Sequence, residues 1–256
     1  METKERKKYS VPALENAVQI LKLLSRNRFK ESTVTEIANA LALNPATCYR
    51  ILQSLEEFSF VRYERVNKRY TLGPYLVVLG ERAKEHLNYL AIIKPYLEQL
   101  TQQTGLTSML VNKVSDDKVA ILSKVEGNDF GIHVSIGRHF SITDGAFGMC
   151  FLAFLEKEER DYHLKQDGGL KTFDEAEIDS IEESIQKVRE EGYYVTFGEY
   201  LKGICCVAAP IFADGNKVDL SIALVGLTAQ IDKSELSEKG ELMKKAANEI
   251  TNKITR

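Results

Sequence analysis

The chain of 256 residues is 44% hydrophobic, carries four cysteines and has a formal net charge of −3. That is enough apolar material for a buried core and enough length for two domains. Cys48, Cys150, Cys205 and Cys206 form no CxxC pair and no disulfide framework, and no segment approaches the roughly 18 apolar residues of a membrane span. The mild total charge hides a split. Residues 1–73 hold 13 Lys and Arg against 8 Glu, a net of +5, whereas the remainder holds 21 basic against 29 acidic residues, a net of −8. A polyanionic partner is therefore expected for the first part only.

The charged start, Met-Glu-Thr-Lys-Glu-Arg-Lys-Lys, has no apolar stretch behind it and reads as a disordered basic tail over 1–10 of a soluble, cytoplasmic protein. Ala13 to Ser25 places Leu14, Ala17, Val18, Leu21 and Leu24 at helical spacing. After a polar loop, Thr35 is the expected N-cap of a short helix ending near Leu41. Asn44 caps the next helix and Pro45 suits its first position, where a missing N–H costs nothing. In that helix Cys48, Ile51, Leu52 and Leu55 make one apolar stripe, leaving Ala46, Thr47, Arg50, Gln53 and Ser54 on the free side. Guanidinium, hydroxyl and amide groups are what phosphates and base edges bind. Two short helices with a tight connection predict a helix-turn-helix. Phe60–Glu64 and Arg69–Leu72 bracket Arg65-Val66-Asn67-Lys68 as a hairpin with a basic tip, completing a winged helix over 11–73. The expected DNA-contacting residues are Thr35, Pro45, Ala46, Thr47, Tyr49, Arg50, Lys68 and Arg69.

Leu72, Leu76, Gly80, Ala83, Leu87 and Leu90 recur near the 3.5-residue period of a coiled-coil seam. This predicts a linker or dimerisation helix over 74–90, although the stripe would equally serve to pack on the C-terminal part. Over 91–256, helices are expected at Leu90–Gln103, Gly145–Leu155 with Asp144 as cap, Asp174–Glu191 and about Lys233–Ile254. Strands are expected at Thr107–Val114, Val119–Val125, Ile132–Ile136, Tyr193–Phe197, Ile204–Phe212 and Leu220–Leu227. Together they predict an α+β chain whose second part is an α/β sandwich on one antiparallel sheet of about six strands.

The residues Thr35-Glu36-Ile37-Ala38, Thr47, Arg50, Leu52 and Tyr70-Leu72-Gly73 resemble the winged helix of the IclR family of bacterial transcription regulators. A more specific likeness lies in Gly192-Tyr193, Glu199, Gly203 and Cys206-Val207-Ala208-Ala209-Pro210, supported by Ala146, Gly148, Leu152, Ala153, Phe154 and Gly226. The resemblance runs from about Val11 to the C-terminus. It implies a GAF-like effector domain that binds a small metabolite, an organic acid or aromatic compound, and alters how a homodimer or dimer of dimers grips double-stranded operator DNA. No cofactor and no metal are expected, since His86, His133, His139 and His163 are scattered without ligand spacing and the cysteines read as buried free thiols. The implied ligand contacts are Ala146 and Phe147, Thr196 and Cys206, and Ala223 and Val225. Small-carboxylate-binding members place an acidic residue at Thr196 and hydroxyls at Ala223 and Val225; here Met149 replaces the usual Lys and Thr143 the usual His. Thr and Cys as chief polar side chains would leave a buried carboxylate unpaired, so a less polar effector is expected.

An enzyme would need a nucleophile with its base, a metal cluster or a phosphate cradle. Cys206 is the nucleophile candidate for a thiol-dependent enzyme, but its neighbours, Ile-Cys-Cys-Val-Ala-Ala-Pro, read as a buried strand with no His nearby, and Asp144-Gly145 and Gly168-Gly169 lack the rest of any nucleotide-binding motif. A metabolite-binding module without a DNA role leaves the basic first part unexplained. A ligand-responsive regulator, by family prior a repressor, accounts for both halves.

Overall fold

The computed structural model describes residues 11–127, 132, 134–165, 173–215 and 217–255. The expected tail over 1–10 lies outside the described residues. Contacts divide the chain into two units that meet between Leu87 and Asn88.

The first unit runs α1 (Pro12–Leu24), α2 (Val34–Ala40), α3 (Pro45–Glu57), a hairpin of β1 (Val61–Glu64) and β2 (Arg69–Leu72), and α4 (Tyr75–His86). Its core is small: Ile20, Leu23 and Leu24 of α1 meet Ile37, Cys48, Leu52, Val61 and Tyr70. The stripe expected on α1 needs correction. Leu14 is 62% and Val18 40% exposed, because only the C-terminal turns of α1 reach the core and there Ile20 and Leu23 point inward. The N-cap of α2 is Thr33, not Thr35. Its hydroxyl accepts from the Glu36 N–H while the Glu36 carboxylate accepts from the Thr33 N–H at 2.7 Å, a reciprocal capping box.

The turn between α2 and α3 is tight. Ala42 takes φ 52°, and the Leu43 N–H donates to the Ala38 carbonyl at 2.9 Å. After the hairpin, a Cβ at Gly73 would stand 2.1 Å from the Ser59 carbonyl oxygen, so only glycine lets the chain pass there. The linker is not one helix. Leu72 ends β2, α4 stops at His86, and Leu87 has ψ 68°, outside the helical well, before α5 (Asn88–Thr104) begins. The expected seam is thus broken at both ends, and α4 buries none of its residues.

The second unit is built on an antiparallel sheet in the order β5-β4-β3-β8-β7-β6. The strands are β3 (Thr107–Lys113), β4 (Lys118–Val125), β5 (His139–Ser141), β6 (Tyr194–Phe197), β7 (Ile204–Asp214) and β8 (Lys217–Leu227). The remaining helices are α6 (Gly145–Leu152), α7 (Lys157–Lys165), α8 (Glu175–Glu191) and α9 (Leu236–Ile254). Central strands alternate between two cores, as period-2 side-chain direction requires. Cys205, Val207, Ala209 and Ile211 of β7, with Leu220, Ile222 and Leu224 of β8, meet α5 and α9. Cys206, Ala208, Ala223 and Val225 meet α6 and α8 on the opposite face.

Two expectations fail in this unit. The described residues of Ile132–Ile136 are not strand, and the edge strand is β5, whose three residues pair with Lys118–Ala120. The α6 helix ends at Leu152 rather than Leu155, and α7 was not anticipated. Its polar run Lys-Glu-Glu-Arg-Asp-Tyr-His shows weak apolar periodicity. It is anchored instead by Arg160, whose guanidinium donates to Glu182 of α8 at 2.9 Å. Asp174 caps α8 through a box with Glu177, and Gly192, at φ 79°, ends it in the left-handed conformation.

Candidate DNA-reading head and effector core

Cys48, Leu52 and Leu55 hold α3 from behind, and Cys48 lies against the Val34 carbonyl of α2 at 3.9 Å. Asn44 accepts the Ala46 N–H at 2.9 Å and Pro45 occupies the first turn, so the start of the helix is fixed without any acidic residue. Ala46, Thr47, Tyr49 and Arg50 are all exposed there, Tyr49 at 50%. Such an N-terminus, with its partial positive charge and no acidic residue in the first turn, favours phosphate. Thr35 is exposed on α2.

Between α3 and the wing lies a groove of about 620 Å³ lined by Tyr49, Gln53, Ser54, Tyr63, Arg65 and Tyr70, with the carboxylates Glu56 and Glu57 at the C-terminal end of α3. At the wing tip Arg65, Val66, Asn67 and Lys68 are exposed, Val66 at 88%. Two residues assigned to the DNA face are engaged within the protein. Gln53 Nε2 donates to the Tyr70 hydroxyl at 3.2 Å, and Arg69 Nη1 donates to the Glu31 carbonyl at 2.7 Å and to Glu36 at 3.3 Å. Sequence periodicity places a side chain on a face; it does not say that a neighbouring element has already claimed it.

In the second unit, the sheet brings the candidate ligand residues into one region. Thr196 pairs with Cys206 and Cys206 with Val225, a row across β6, β7 and β8, while Ala223 pairs with Ala208 in the next row. Above them, Ala146 and Phe147 of α6 are buried in the same core. Thr196 is half-buried and also lines a groove of about 260 Å³ with Lys187, Glu191, Tyr194, Val195 and Glu199. All four cysteines are free and buried. Burial pushes the Cys150 thiol from 9.0 up to about 12, against a weaker opposing hydrogen bond with Ser221. Burial first, then neighbouring Cys150 and Cys205, raises Cys206 as well. These thiols are neutral at ordinary pH, the opposite of an activated nucleophile.

Sequence reading missed the group at the start of α6. Gly145, at φ 59°, lies under the Tyr200 ring, which stands 3.1 Å from where its Cβ would be. Tyr200 sits in the β6–β7 connection between Gly198 and Gly203, both at positive φ. Its phenol is raised by burial and by the charge and hydrogen bond of Asp144. Asp144 does not cap α6 through its side chain; its carboxylate accepts from the Ser141 N–H at 2.9 Å. Arg138 lies over the Phe140 ring at 5.0 Å, and Phe140 packs edge-on against Phe147. The glycine pair flanking Tyr200 was the available signal for a tight, aimed turn.

Among the described residues no group of His, Cys, Asp and Glu is arranged to hold a metal. No helix of the described residues is long and apolar enough to cross a membrane.

Two family models match the chain: the IclR helix-turn-helix domain over residues 13–65, and the bacterial transcriptional regulator IclR C-terminal domain over residues 82–252. The "Transcriptional repressor IclR" of Escherichia coli is 26% identical over 94% of this chain and 89% of its own length. The crystal structure of an IclR transcriptional regulator from Alicyclobacillus acidocaldarius is 36% identical, covers 96% of this chain and 100% of its own, and superposes with a TM-score of 0.86. An IclR homolog from Microbacterium hydrocarbonoxydans, complexed with 4-hydroxybenzoate, shares the fold at 17% identity, covering 94% and 98%, with a TM-score of 0.77. With the winged head, the six-stranded antiparallel sheet and these matches together, the chain belongs to the IclR family of DNA-binding transcriptional regulators, which are not enzymes.

Proposed function

We propose that this regulator is a repressor that binds a palindromic operator as a homodimer, or a dimer of dimers, and changes its grip when a small effector binds the second unit. The observation that carries the reading is α3, held from behind by Cys48, Leu52 and Leu55 while Thr47, Tyr49 and Arg50 face outward. Thr47, Tyr49 and Arg50 read bases, Pro45 and Ala46 allow close approach, Thr35 meets phosphate from α2, and Lys68 holds the backbone from the wing. The relative named a repressor supports the direction of control. Dimerisation is supported by α4: Tyr75, Val77, Val78 and Leu79 are 41%, 66%, 42% and 38% exposed, an apolar run that a second copy would cover.

The effector is less polar than a small keto acid, and aromatic. Ala146, Phe147, Thr196, Cys206, Ala223 and Val225 offer one hydroxyl and one neutral thiol, too little to compensate a buried carboxylate. The Asp144 carboxylate directly precedes α6 and the Tyr200 ring packs against Gly145, which makes the start of that helix a poor seat for an anion. The homolog solved with 4-hydroxybenzoate supports an aromatic ring as occupant in this fold, but that compound also carries a carboxylate, so the lower polarity rests on the residues of this chain alone.

Footprinting on the DNA upstream of its own gene, with and without aromatic compounds, tests the whole. Protection that Arg50→Ala weakens by about 1–3 kcal/mol while relaxing sequence preference is the expected result. Arg50→Ala binding as tightly as wild type refutes the reading head. Calorimetric binding of glyoxylate or pyruvate, with no response to aromatics, refutes the effector class.

A further inference from the structure

Arg69 opens β2 and sits one residue from the basic wing tip, where charge alone would make it a phosphate ligand. Its contacts point elsewhere. Nη1 donates to the Glu31 carbonyl at 2.7 Å and lies 3.3 Å from Glu36 Oε2. The same carboxylate oxygen accepts the Thr33 N–H at 2.7 Å and the Thr33 hydroxyl at 3.1 Å. These hydrogen bonds, the Thr33 backbone's foremost, hold the Glu36 carboxyl below its usual range. Arg69 is therefore joined to the cap of α2.

The next residue repeats the pattern with α3. Tyr70 exchanges two backbone hydrogen bonds with Ser32, at 2.7 and 3.1 Å, and its phenol accepts from Gln53 of α3 at 3.2 Å. Only 1% of Tyr70 is exposed. Two consecutive residues of β2 thus attach the wing to both helices of the head. Lys68, by contrast, is exposed at φ 53°, and among the described residues no hydrogen bond or ion pair holds its ammonium.

We propose that Arg69 is a positioning residue, which with Glu36 sets the wing against α2 and thereby against the reading helix, and that the phosphate charge of the wing comes from Lys68 and Arg65. The physical ground is charge balance. Affinity depends on salt through the phosphates a protein neutralises, with a slope of about 0.9 per phosphate. A guanidinium with a carboxylate at 3.3 Å presents little net charge to a polyanion, so Arg69 adds little to that slope. An exposed ion pair of this kind contributes little to stability; what it contributes is geometry, since a misplaced wing weakens every sequence without changing how many counterions are released.

The test uses the full chain and a duplex selected from a random-sequence library by the wild-type protein, titrated across salt concentrations. Arg69→Gln is expected to weaken binding several-fold at every salt concentration with an unchanged slope, whereas Lys68→Gln lowers the slope by about 1. Glu36→Gln gives the deciding sign. Glutamine still completes a capping box, yet it removes the ionic partner. A positioning role predicts weaker binding for Glu36→Gln, and a double variant no weaker than either single one. A phosphate-ligand role predicts tighter binding, because a competing negative charge has gone. Tighter binding by Glu36→Gln, a flattened slope or unchanged affinity in Arg69→Gln, or additive losses in the double variant overturns the proposal. Should Arg69→Gln melt early, Glu36→Gln carries the decision by itself.

Discussion

The two faces of the central sheet are fed by the same two strands and are built differently. Toward α5 and α9, β7 and β8 send Val207, Ile211, Leu220, Ile222 and Leu224 with the smaller Cys205 and Ala209; toward α6 and α8 they send Cys206, Ala208, Val218, Ala223 and Val225, a set with no Leu or Ile among its buried members. Both faces exclude water, with Ile222 and Ala223 each 0% exposed. Bulk, not burial, separates them. One face closes on itself with branched aliphatics, whereas the other relies on large groups from elsewhere, Phe147, Phe151 and Met109, to complete its packing. A patch of small strand residues such as Ala208 and Ala223, in one core with Phe147, is where a binding protein can exchange its own side chain for a ligand without rebuilding the sheet.

That contrast can be broken experimentally. The largest effect is expected for Ile222→Ala on the α5–α9 face, a loss of about 2–5 kcal/mol in urea unfolding of the full chain, since a branched residue leaves a cavity that its neighbours fill only in part. On the other face, Ala223→Leu is expected to cost about 1–3 kcal/mol by overpacking and to abolish the response of DNA binding to aromatic effectors. If Ala223→Leu unfolds as wild type does and still responds, that face holds no effector. Asp174→Ala removes the cap of α8 and should cost about 1 kcal/mol, read as a lower melting temperature with DNA affinity unchanged.

The smallest effect near neutrality comes from the thiols. Cys150 has a folded pKa raised from 9.0 to about 12, and Cys206 is raised too. A raised value means the folded state holds its proton more tightly. The stabilisation is complete below about 9 and fades as the pH rises toward 12. The urea midpoint should therefore show no thiol-dependent change from pH 7 to 8.5, then fall through pH 9.5 to 11, and fall less in Cys150→Ala. A fall that begins below pH 8.5 and is removed by Cys150→Ala contradicts the burial argument.

Much of this was legible because the physics is local. Alternation along Ser221-Ile222-Ala223-Leu224-Val225 assigns faces in a strand, and Asn44-Pro45 marks a helix start through the chemistry of the first turn. One miss was local: Thr33 followed by Glu36 three residues on is the capping-box pattern, a signal that the choice of Thr35 passed over. The other misses arise where the partner is distant or missing. The stripe through Leu14 and Val18 is sound helical periodicity on a stretch of α1 that stays exposed among the described residues. Leu72 to Leu90 matched a heptad spacing, yet Leu72 belongs to β2 and Leu87, at ψ 68°, interrupts the helix before α5, neither of which the spacing of apolar residues reveals. The α7 helix has little apolar periodicity and is held by partners distant in sequence, Glu182 for Arg160 and Lys113 for Glu159, together with buried His163 and Leu164.

The Tyr200 ring resting on Gly145 gives the molecule an optical handle. The chain has no tryptophan, so Tyr200→Trp would install a sole indole at the threshold of the effector core. Its emission maximum and quenching by iodide would then follow occupancy directly, in the free protein and on DNA alike, without a label.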